Sequence, residues 1–283
     1  MSQNSELCRL AFGKMILPLV PSRLKRRVAM GIYNHTSPSV QGIDIVVKQP
    51  GYKLMVNTKD LIGWNVFFFA EYEKSTNNVL GRFIKPGDTV IEAGANIGTE
   101  TILLANLVGD NGKVYAFEPN KDVFNRLKHN AQVINKKNNV VCLDIALGEK
   151  DGTIQFNVYP DDYFNSGMSS KYHGATDVVD VPQRTLDSMV SAEEISKVDF
   201  IKMDVQGAEP DVLAGAKNTM ERFRPGIFLE ADEHVNELFD TLTGADYTVY
   251  VIGDSGLEPI DKNAIRKAET HTNWLALPKE KAT

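Results

Sequence analysis

Cysteine and long apolar runs are both scarce in this sequence. Only two of its 283 residues are cysteine, Cys8 and Cys142, so the chain has neither a disulfide framework nor a cysteine spacing typical of metal sites. No stretch approaches the roughly 18 uncharged apolar residues of a membrane-spanning helix. The apolar run 15–20 is too short for the core of a signal peptide, and Pro18 interrupts it. These absences predict a cytoplasmic protein in a reducing compartment.

Basic residues are also fewer than acidic residues. The chain has 31 lysines and arginines against 37 aspartates and glutamates, a net charge of −6, which disfavours a nucleic-acid partner. The charge is unevenly distributed along the chain, because residues 1–35 hold six basic groups and one acid. Residues 5–34 form a predicted amphipathic helix, broken near Pro18 and Pro21, and we favour the interpretation that it packs as a cap on the main domain. Alternatively, its basic side could make weak contact with an anionic membrane surface.

Strands and helices alternate from residue 88 onward. Predicted strands cover 88–93, 113–118, 140–144, 198–204, 226–231, 247–252 and 273–277, and predicted helices cover 97–108, 120–136, 208–222 and 234–243. Two further strands, 153–158 and 178–183, interrupt the alternation and flank a polar loop over 159–177. This order predicts a doubly wound, mostly parallel α/β sheet whose site lies at the carboxyl ends of the strands.

The N-terminal part has a simpler pattern. Residues 42–57 predict a hairpin that turns at Pro50-Gly51. No Gly/Ser-rich or Pro-rich linker follows, so we predict a single globule. It would consist of a helical and hairpin extension over 1–60 and a cofactor-binding domain over 61–283. The sequence does not indicate an oligomeric state.

A glycine-containing turn joins the first strand of the alternation to its helix. It belongs to Val90-Ile-Glu-Ala-Gly-Ala-Asn-Ile-Gly98, and the next strand ends in Phe117-Glu-Pro-Asn120. A dinucleotide fingerprint that begins at Gly94 would need glycine at positions 96 and 99, where the chain has Asn96 and Thr99. The turn therefore predicts a nucleoside cofactor without a pyrophosphate, of which S-adenosylmethionine is the usual one.

Acids occupy the ends of five predicted strands. They are Glu92, Glu118, Asp144, Asp204 and Glu230. Because the carboxyl ends of parallel strands meet at one edge of a sheet, we expect these side chains to share a rim. Glu118 is suited to accept hydrogen bonds from both hydroxyls of a ribose. Asp144, with the backbone amides of Ile145 and Ala146, is the candidate for adenine contact.

Several ordered motifs resemble those of the FkbM-type methyltransferases. They are Glu92-Ala-Gly-Ala-Asn-Ile-Gly98, Phe117-Glu-Pro-Asn120, Ala146-Leu-Gly148, Thr185-Leu-Asp187, Ile201-Lys-Met-Asp-Val-Gln-Gly-Ala-Glu209 and Arg224-Pro-Gly-Ile-Phe-Leu-Glu230. The resemblance implies a class I, Rossmann-like fold with a seven-stranded sheet and S-adenosylmethionine as cofactor. It also implies O-methylation of a hydroxyl on a sugar, glycolipid or natural product. Two positions depart from the family pattern, Glu92 in place of the usual Asp and Gln206 in place of the usual Glu.

The candidate site residues follow from the rim and from the resemblance. The cofactor-binding candidates are Glu92, Gly94, Ala95, Asn96, Gly98, Glu118, Pro119, Asp144, Ile145, Ala146, Asp204 and Gln206. The candidates for a catalytic base or an acceptor contact are Asp204, Glu230, His173 and His234. The loop 159–177 is a candidate lid, and no clear set of metal ligands is visible.

Two other function classes stay open at this point. An NAD-linked dehydrogenase or epimerase would begin with the same strand and helix, but the glycine spacing and the missing Tyr-x-x-x-Lys motif disfavour it. A non-catalytic module that binds S-adenosylmethionine is suggested only by Gln206. The acceptor has no sequence signature, because specificity lies in the loops and in the N-terminal segment.

Overall fold

The computed structural model describes residues 12, 15–21, 24–25, 27–28, 31, 43–49, 51–57, 61–69, 74–158, 177–231, 234–253, 256–262 and 272–282. The chain divides into two compact units. One is formed by residues 1–72 with 161–166, and the other by residues 73–160 with 167–283. The single globule expected from the sequence, with its boundary near residue 60, stays a prediction.

The first unit holds a hairpin and a helix. Strands β1 (Asp44–Gln49) and β2 (Tyr52–Asn57) pair in antiparallel fashion, which confirms the predicted hairpin. Gly51 turns the chain between them with a φ of +83°, a conformation that glycine adopts without strain. Helix α1 (Leu61–Phe69) was not predicted, because its residues are apolar almost throughout and show no helical period.

A small apolar cluster lies in the same unit. Leu17, from the short turn Leu17–Leu19, is buried with Trp64 and Phe68 of α1. The predicted helix 5–34 falls mostly outside the described residues, so its extent stays a prediction. No helix in the described part of the chain is long and apolar enough to cross a membrane.

The second unit contains a large sheet and a small one. In chain order its strands are β3 (Thr89–Ala93), β4 (Lys113–Phe117), β5 (Val140–Leu143), β6 (Ala146–Leu147), β7 (Gly152–Val158), β8 (Asp177–Arg184), β9 (Phe200–Met203), β10 (Gly226–Ala231), β11 (Tyr247–Gly253), β12 (Gly256–Pro259) and β13 (Thr272–Pro278). The large sheet has the order β12-β11-β13-β10-β9-β3-β4-β5, and the small sheet has the order β6-β8-β7. Every strand predicted from residue 88 onward is confirmed, with ends that agree within two residues.

Five neighbouring strands of the large sheet, β10, β9, β3, β4 and β5, run parallel. Strands β13, β11 and β12 continue the sheet with antiparallel pairing. This arrangement confirms the doubly wound, mostly parallel α/β class. The large sheet has one strand more than the seven expected, because β12 forms a hairpin with β11 at the edge. The four residues of β12 include a single large apolar side chain, so they show no alternation that predicts a strand.

Helices cover both faces of the large sheet. In chain order they are α2 (Lys74–Phe83), α3 (Thr99–Val108), α4 (Lys121–Lys128), α5 (Leu186–Ala192), α6 (Glu209–Ala214), α7 (Lys217–Phe223) and α8 (Val235–Gly244). The predicted helix 120–136 continues beyond α4 as a π-helical turn, His129–Ile134. The predicted helix 208–222 is divided into α6 and α7 at Gly215, which packs so closely that a Cβ would overlap the Gly148 carbonyl oxygen.

Side chains of the parallel strands alternate between two cores. Ile91 and Ala93 of β3 lie in the core that α5 to α8 cover, and Val90 lies in the core that α2 to α4 cover. The chain proceeds from β3 to β4 and β5 on one side, and from β9 to β10 on the other. The strand order therefore reverses between β3 and β9. Open α/β sheets bind their ligands at such a switch point, beyond the carboxyl ends of the strands.

Candidate functional site

The loops that follow β3 and β9 meet at the switch point. Gly94 has a φ of +78°, and a Cβ there would overlap the carbonyl oxygen of Asp204. The Asp204 backbone N–H donates to the Ala93 carbonyl at 3.1 Å. Because Gly94 has no side chain, the two loops can approach each other closely at the place where open α/β sheets bind their ligands.

The turn after Gly94 is shaped by its backbone. The N–H of buried Ala95 donates to the Phe117 carbonyl at 2.9 Å. Asn96 has a φ of +49°, and Gly98, with a φ of +89°, begins helix α3. A Cβ at Gly98 would lie 2.9 Å from Leu127 Cδ1, so glycine lets α3 pack against α4. Both glycines thus allow close packing of protein segments, and their contacts with a cofactor stay predictions.

Glu118 joins this turn to the end of β4. Its Oε2 accepts from the Asn96 N–H at 3.0 Å, and its Oε1 accepts from the Asn120 N–H at 2.9 Å. Burial raises the pKa of Glu118 to about 7, although the two N–H groups favour the ionised form. Each oxygen keeps a second lone pair for another donor, such as a ligand hydroxyl. Half-buried Pro119 follows and contributes no N–H donor of its own.

Asp144 lies next along the rim, after β5. It forms an ion pair with Lys121 at 2.5 Å, and the hydrogen bond from this lysine lowers the pKa of Asp144. Both side chains are about half exposed or more. Ile145 is half-buried, and Ala146 is buried at the start of β6. The structure thus places Asp144, Ile145 and Ala146 beside the Glu118 end of the rim, because Glu118 N–H donates to the Leu143 carbonyl at 3.0 Å.

Glu92 is fully buried on β3, under the first turn of α3. Its Oε2 accepts a hydrogen bond from Thr101 Oγ1 at 2.6 Å, and its Oε1 has no hydrogen-bond partner among the described residues. Burial raises the pKa of Glu92 to about 8, and the charge of Lys202 opposes this rise. A buried polar atom without a partner marks a place where a ligand or water would bind.

Lys202 is the buried cation beside Glu92, and it was not among the site residues predicted from the sequence. It lies opposite Glu92 in the pairing of β3 with β9, and its Nζ is 2.6 Å from Glu100 Oε2. Burial disfavours its charge, but Glu100, Asp204 and Glu92 outweigh burial and hold its pKa well above the usual value. The available signal was one lysine inside the otherwise apolar strand Phe200–Met203.

Asp204 and Glu230 are brought together at the ends of β9 and β10. Gln206 Nε2 lies between them, 2.8 Å from Asp204 Oδ1 and 3.4 Å from Glu230 Oε2. Gln206 has a φ of +53°, which turns the chain back over the strand ends. An amide can donate to two carboxylates at once, whereas an ionised glutamate only accepts. The departure from the usual Glu at position 206 thus has a local chemical reason.

Glu209 is buried in the first turn of α6. Its Oε1 accepts from the Val205 N–H at 3.0 Å. Burial raises the pKa of Glu209 to about 7. The contact closes the loop that carries Asp204 and Gln206, so Glu209 supports the rim from below.

Of the two candidate histidines, His234 lies within the described residues and His173 does not. His234 begins α8 with a φ of +53°, is about half exposed, and has its Nδ1 3.8 Å from Glu237 Oε2. The roles suggested for His234 stay predictions. His173 and positions 159–176 of the candidate lid lie outside the described residues, while Asp177 already belongs to β8.

Asn273 and Thr76 extend the polar rim past Glu230, and the sequence analysis did not include them. Asn273 pairs with Glu230 across β13 and β10, and its Nδ2 donates to the Oγ1 of fully buried Thr76 at 3.1 Å. Asn273 could have been noticed as the polar first residue of a predicted apolar strand. Within the described residues, no group of three or more His, Cys, Asp or Glu side chains is placed to hold a metal ion.

Comparison with protein families finds a match over the strands and helices that form this site. The model of the methyltransferase FkbM domain matches residues 92–249, more than half of the chain. The matched region begins at Glu92 and includes the turn at Gly94, the rim acids and α8.

Two characterised relatives are similar over part of their length. The hexuronic acid methyltransferase AglP of Haloferax volcanii is 29% identical over 136 residues, which cover 47% of this chain and 52% of AglP. The 2-O-methyltransferase NoeI of Sinorhizobium fredii is 24% identical over 173 residues, which cover 55% of this chain and 67% of NoeI. The chain therefore matches about half the length of AglP and about two thirds of NoeI.

Among solved structures, an FkbM methyltransferase from Methylobacillus flagellatus superposes with a TM-score of 0.46. Its sequence identity is 15%, and the superposition covers 75% of this chain and 52% of that protein.

Proposed function

The chain belongs to the FkbM methyltransferase family, whose cofactor is S-adenosylmethionine, and we propose that it methylates a hydroxyl group of a sugar, glycolipid or natural product. The observation that supports this best is the pairing of Asp204 with Glu230 through Gln206, next to the open turn at Gly94. One side of the crevice thus suits a nucleoside, and the adjoining side presents carboxylates that suit a hydroxyl.

The residues present fit the cofactor. Gly94 and Gly98 have no Cβ where one would collide with neighbouring loops, so the turn is shaped for close approach. Glu118 keeps two free lone pairs for the ribose hydroxyls. The carboxyl of Glu92 lies two residues before this turn, where its charge would attract the ammonium of a methionine moiety. Asn96 and Thr99 occupy the positions where a pyrophosphate would need glycine, which argues against an NAD-linked enzyme.

The remaining candidate residues take their roles from their positions along the rim. Asp144, Ile145 and Ala146 would contact adenine, because they lie beyond Glu118 on the side away from the switch point. Asn96 and Asp204 would face the methionine part together with Glu92.

When bound, S-adenosylmethionine supplies a methyl group on a positively charged sulfur. The task of the chain is to hold an acceptor oxygen in line with that methyl group, which can contribute about 7–11 kcal/mol to lowering the barrier. Asp204 or Glu230 then accepts the hydroxyl proton, a step worth about 10²- to 10⁴-fold in rate. Gln206 donates to both carboxylates and would thereby orient them relative to the acceptor hydroxyl.

The proposed acceptor class rests on the relatives. The name of AglP specifies a hexuronic acid, and the name of NoeI specifies methylation at a 2-O position. A sugar hydroxyl is therefore our first choice of acceptor. A non-catalytic cofactor-binding module is the alternative, and it is distinguished by the absence of any methyl transfer.

The test is methyl transfer measured by mass spectrometry. The purified chain, S-adenosylmethionine and a panel of glycans, glycolipids and uronic acid glycosides are incubated, and products are searched for the mass of one added methyl group. We expect a methylated sugar hydroxyl with the wild type, and a loss of at least about 100-fold with Asp204→Asn. Full activity of Asp204→Asn would remove it as the base. No product on any acceptor, with cofactor bound, would favour the non-catalytic module.

We also propose a cytoplasmic location with weak contact to anionic phospholipid membranes through the N-terminal segment. Residues 1–35 carry six basic groups and one acid, and Phe12, Met15, Leu19 and Leu24 expose their side chains while Leu17 is buried. Apolar groups interspersed with lysines and arginines suit an anionic lipid surface. In cosedimentation, vesicles with phosphatidylglycerol should retain the protein at low salt, and Leu19→Glu should weaken this. Equal binding to neutral vesicles, or none to either, would contradict the proposal.

A further inference from the structure

A buried ammonium group, that of Lys202, is paired with one buried carboxylate and lies on the strand beside a second. Lys202 Nζ lies 2.6 Å from Glu100 Oε2, and Glu92 is its direct cross-strand neighbour. All three side chains are at least nine-tenths shielded from solvent. In the described part of the chain, one oxygen of each carboxylate, Glu92 Oε1 and Glu100 Oε1, has no hydrogen-bond partner.

Two buried carboxyls, those of Glu92 and Glu100, lie near one buried ammonium, that of Lys202, so the ammonium can balance the charge of one of them. A buried carboxylate is stable in its ionised form only when a cation or several donors compensate it. Glu100 has the direct ion pair with Lys202, whereas Glu92 has one hydrogen bond from Thr101. Glu92 is therefore the carboxyl that keeps its proton near neutral pH, and burial raises its pKa to about 8.

We propose that Lys202 is a positioning residue that keeps Glu92 able to ionise, so that arrival of the cofactor's ammonium releases the Glu92 proton to solvent. The inference rests on the cofactor placement proposed above. The exchange balances, because one positive charge enters the site and one proton leaves it. Lys202 lowers the cost of the ionised state, since its charge is the one that most favours a carboxylate at Glu92.

The groups that face Glu92 support this assignment. They are Lys202 on β9, Asp204 in the loop after β9, Glu100 and Thr101 on α3, and Cys142 on β5. Asp204 and Glu100 disfavour the Glu92 charge, as does burial. Burial raises the pKa of the Cys142 thiol to about 11, so this thiol stays neutral and does not exchange a proton in the same range.

The sign of the pH dependence follows from linkage. A ligand that releases a proton binds more tightly as the pH rises, until the group is already ionised in the free protein. The affinity for a ligand that carries the ammonium should therefore rise toward pH 8 and level off above it. Glu118 also titrates near pH 7, but its proposed partner is the ribose, so a ligand that has only the nucleoside part reports its contribution separately.

The experiment compares two ligands by isothermal titration calorimetry in buffers of different ionisation enthalpy. S-adenosylhomocysteine carries the ammonium, and 5′-methylthioadenosine has the same nucleoside without it. At pH 7 we expect S-adenosylhomocysteine to release at least about half a proton more than 5′-methylthioadenosine. Glu92→Gln should abolish this difference, since glutamine has no proton to release.

Variants of the lysine test its positioning role. Lys202→Met should weaken S-adenosylhomocysteine at pH 7 by at least about tenfold, shift its pH plateau upward and change 5′-methylthioadenosine by less than about threefold. Lys197→Met is the matched control, because Lys197 is half exposed and pairs with Asp199 at 2.9 Å away from the crevice. If Lys202→Met does not fold, the double variant Lys202→Met with Glu100→Gln removes the ion pair as a unit. It should show the same upward shift of the plateau.

Each result has a distinct meaning. Equal proton release with the two ligands, or an unchanged pH profile in the lysine variants, would overturn the role of Lys202. Failure of both ligands to bind the wild type would instead overturn the proposed cofactor placement. A merely structural lysine would lower stability and weaken both ligands alike without moving the pH plateau, and this outcome too would overturn the proposal.

Discussion

Gln206 shows how one side chain can set the arrangement of a rim. Its amide nitrogen lies within hydrogen-bonding range of Asp204 and Glu230, two acids that end neighbouring parallel strands. Two carboxylates side by side disfavour each other's charge, and a donor between them relieves this. In the proposed mechanism, Gln206 would orient both acids for proton transfer without adding a third negative charge.

Replacing Gln206 by alanine tests this role at the residue scale. Loss of both hydrogen bonds leaves the two carboxylates without the donor that orients them. We expect kcat for methyl transfer to fall by about 10- to 100-fold at pH 7. Steady-state kinetics at this pH measure it.

The matched control for Gln206→Ala is Gln132→Ala, an exposed glutamine in the π-helical turn His129–Ile134. Its kinetics should equal those of the wild type. An unchanged kcat in Gln206→Ala would contradict the role assigned to the amide.

The turn after β3 and the first turn of α7 are stabilised in different ways. The turn depends on Gly94, which has no side chain to collide with the Asp204 carbonyl. The first turn of α7 depends on Asp187 of α5. That carboxylate accepts from the N–H groups of Asn218 and Thr219 and from Thr219 Oγ1 at 2.7–3.0 Å. The motif residue Asp187 thus lies in the first turn of α5 and also caps α7.

Gly94→Ala should damage binding more than folding. A Cβ would force the loops after β3 and β9 apart, and the left-handed φ costs about 1–2 kcal/mol in addition. We expect at least a tenfold rise in the Kd for S-adenosylmethionine, measured by calorimetry. Gly81→Ala is the control, since Gly81 lies in helix α2, where a Cβ would make an ordinary 3.9 Å contact with Leu107 Cδ2, and should gain about 0.5–1 kcal/mol of stability. Wild-type affinity in Gly94→Ala would refute the close approach of the loops.

Asp187→Ala should damage folding more than binding. The N–H of Thr219, a buried residue, would lose its acceptor, so we expect the free energy of unfolding to fall by about 1–3 kcal/mol. Urea denaturation measures this, and the cofactor Kd should stay within about twofold. The control Asp240→Ala removes an exposed ion pair with Lys262 and should cost less than about 1 kcal/mol. Equal losses in the two variants would show that Asp187 does not cap α7.

For the whole molecule, buried carboxyls make stability depend on pH in an unusual direction. Burial raises the pKa of Glu92 to about 8, and those of Glu118 and Glu209 to about 7, from an ordinary value of 4.5. Between these values the folded protein binds more protons than the unfolded chain, so the free energy of unfolding falls as the pH rises. At the acidic end, hydrogen bonds from Arg224 hold the pKa of Glu280 at about 2, and this contribution is lost only in strong acid.

The cofactor-free protein should therefore have a higher Tm at pH 6 than at pH 8.5. A difference of at least about 4 °C is expected, which for a chain of this size corresponds to roughly 1–2 kcal/mol. Scanning calorimetry at constant ionic strength measures it, and Glu92→Gln should reduce the difference. A Tm that is flat or rises over this range would contradict the protonated state of the buried carboxyls.

Local patterns in the sequence were sufficient to predict much of this fold. Alternation and strand-end acids predicted the parallel sheet and placed Glu118, Asp204 and Glu230 on one rim, because these features depend on neighbouring residues. The pairing of Lys202 with Glu100 depends on the register of β3 against β9 and on the position of α3, which no local pattern encodes. The division of α6 from α7 likewise depends on a contact with Gly148, over 60 residues earlier in the chain.

A crystal structure with S-adenosylhomocysteine would show whether a nucleoside without phosphates binds at the switch point between β3 and β9. We expect both ribose hydroxyls within about 2.6–3.2 Å of the Glu118 carboxylate. We also expect the ammonium on the side of Glu92 and Asp204. A nucleoside bound away from Glu118, with the turn at Gly94 empty, would contradict this placement.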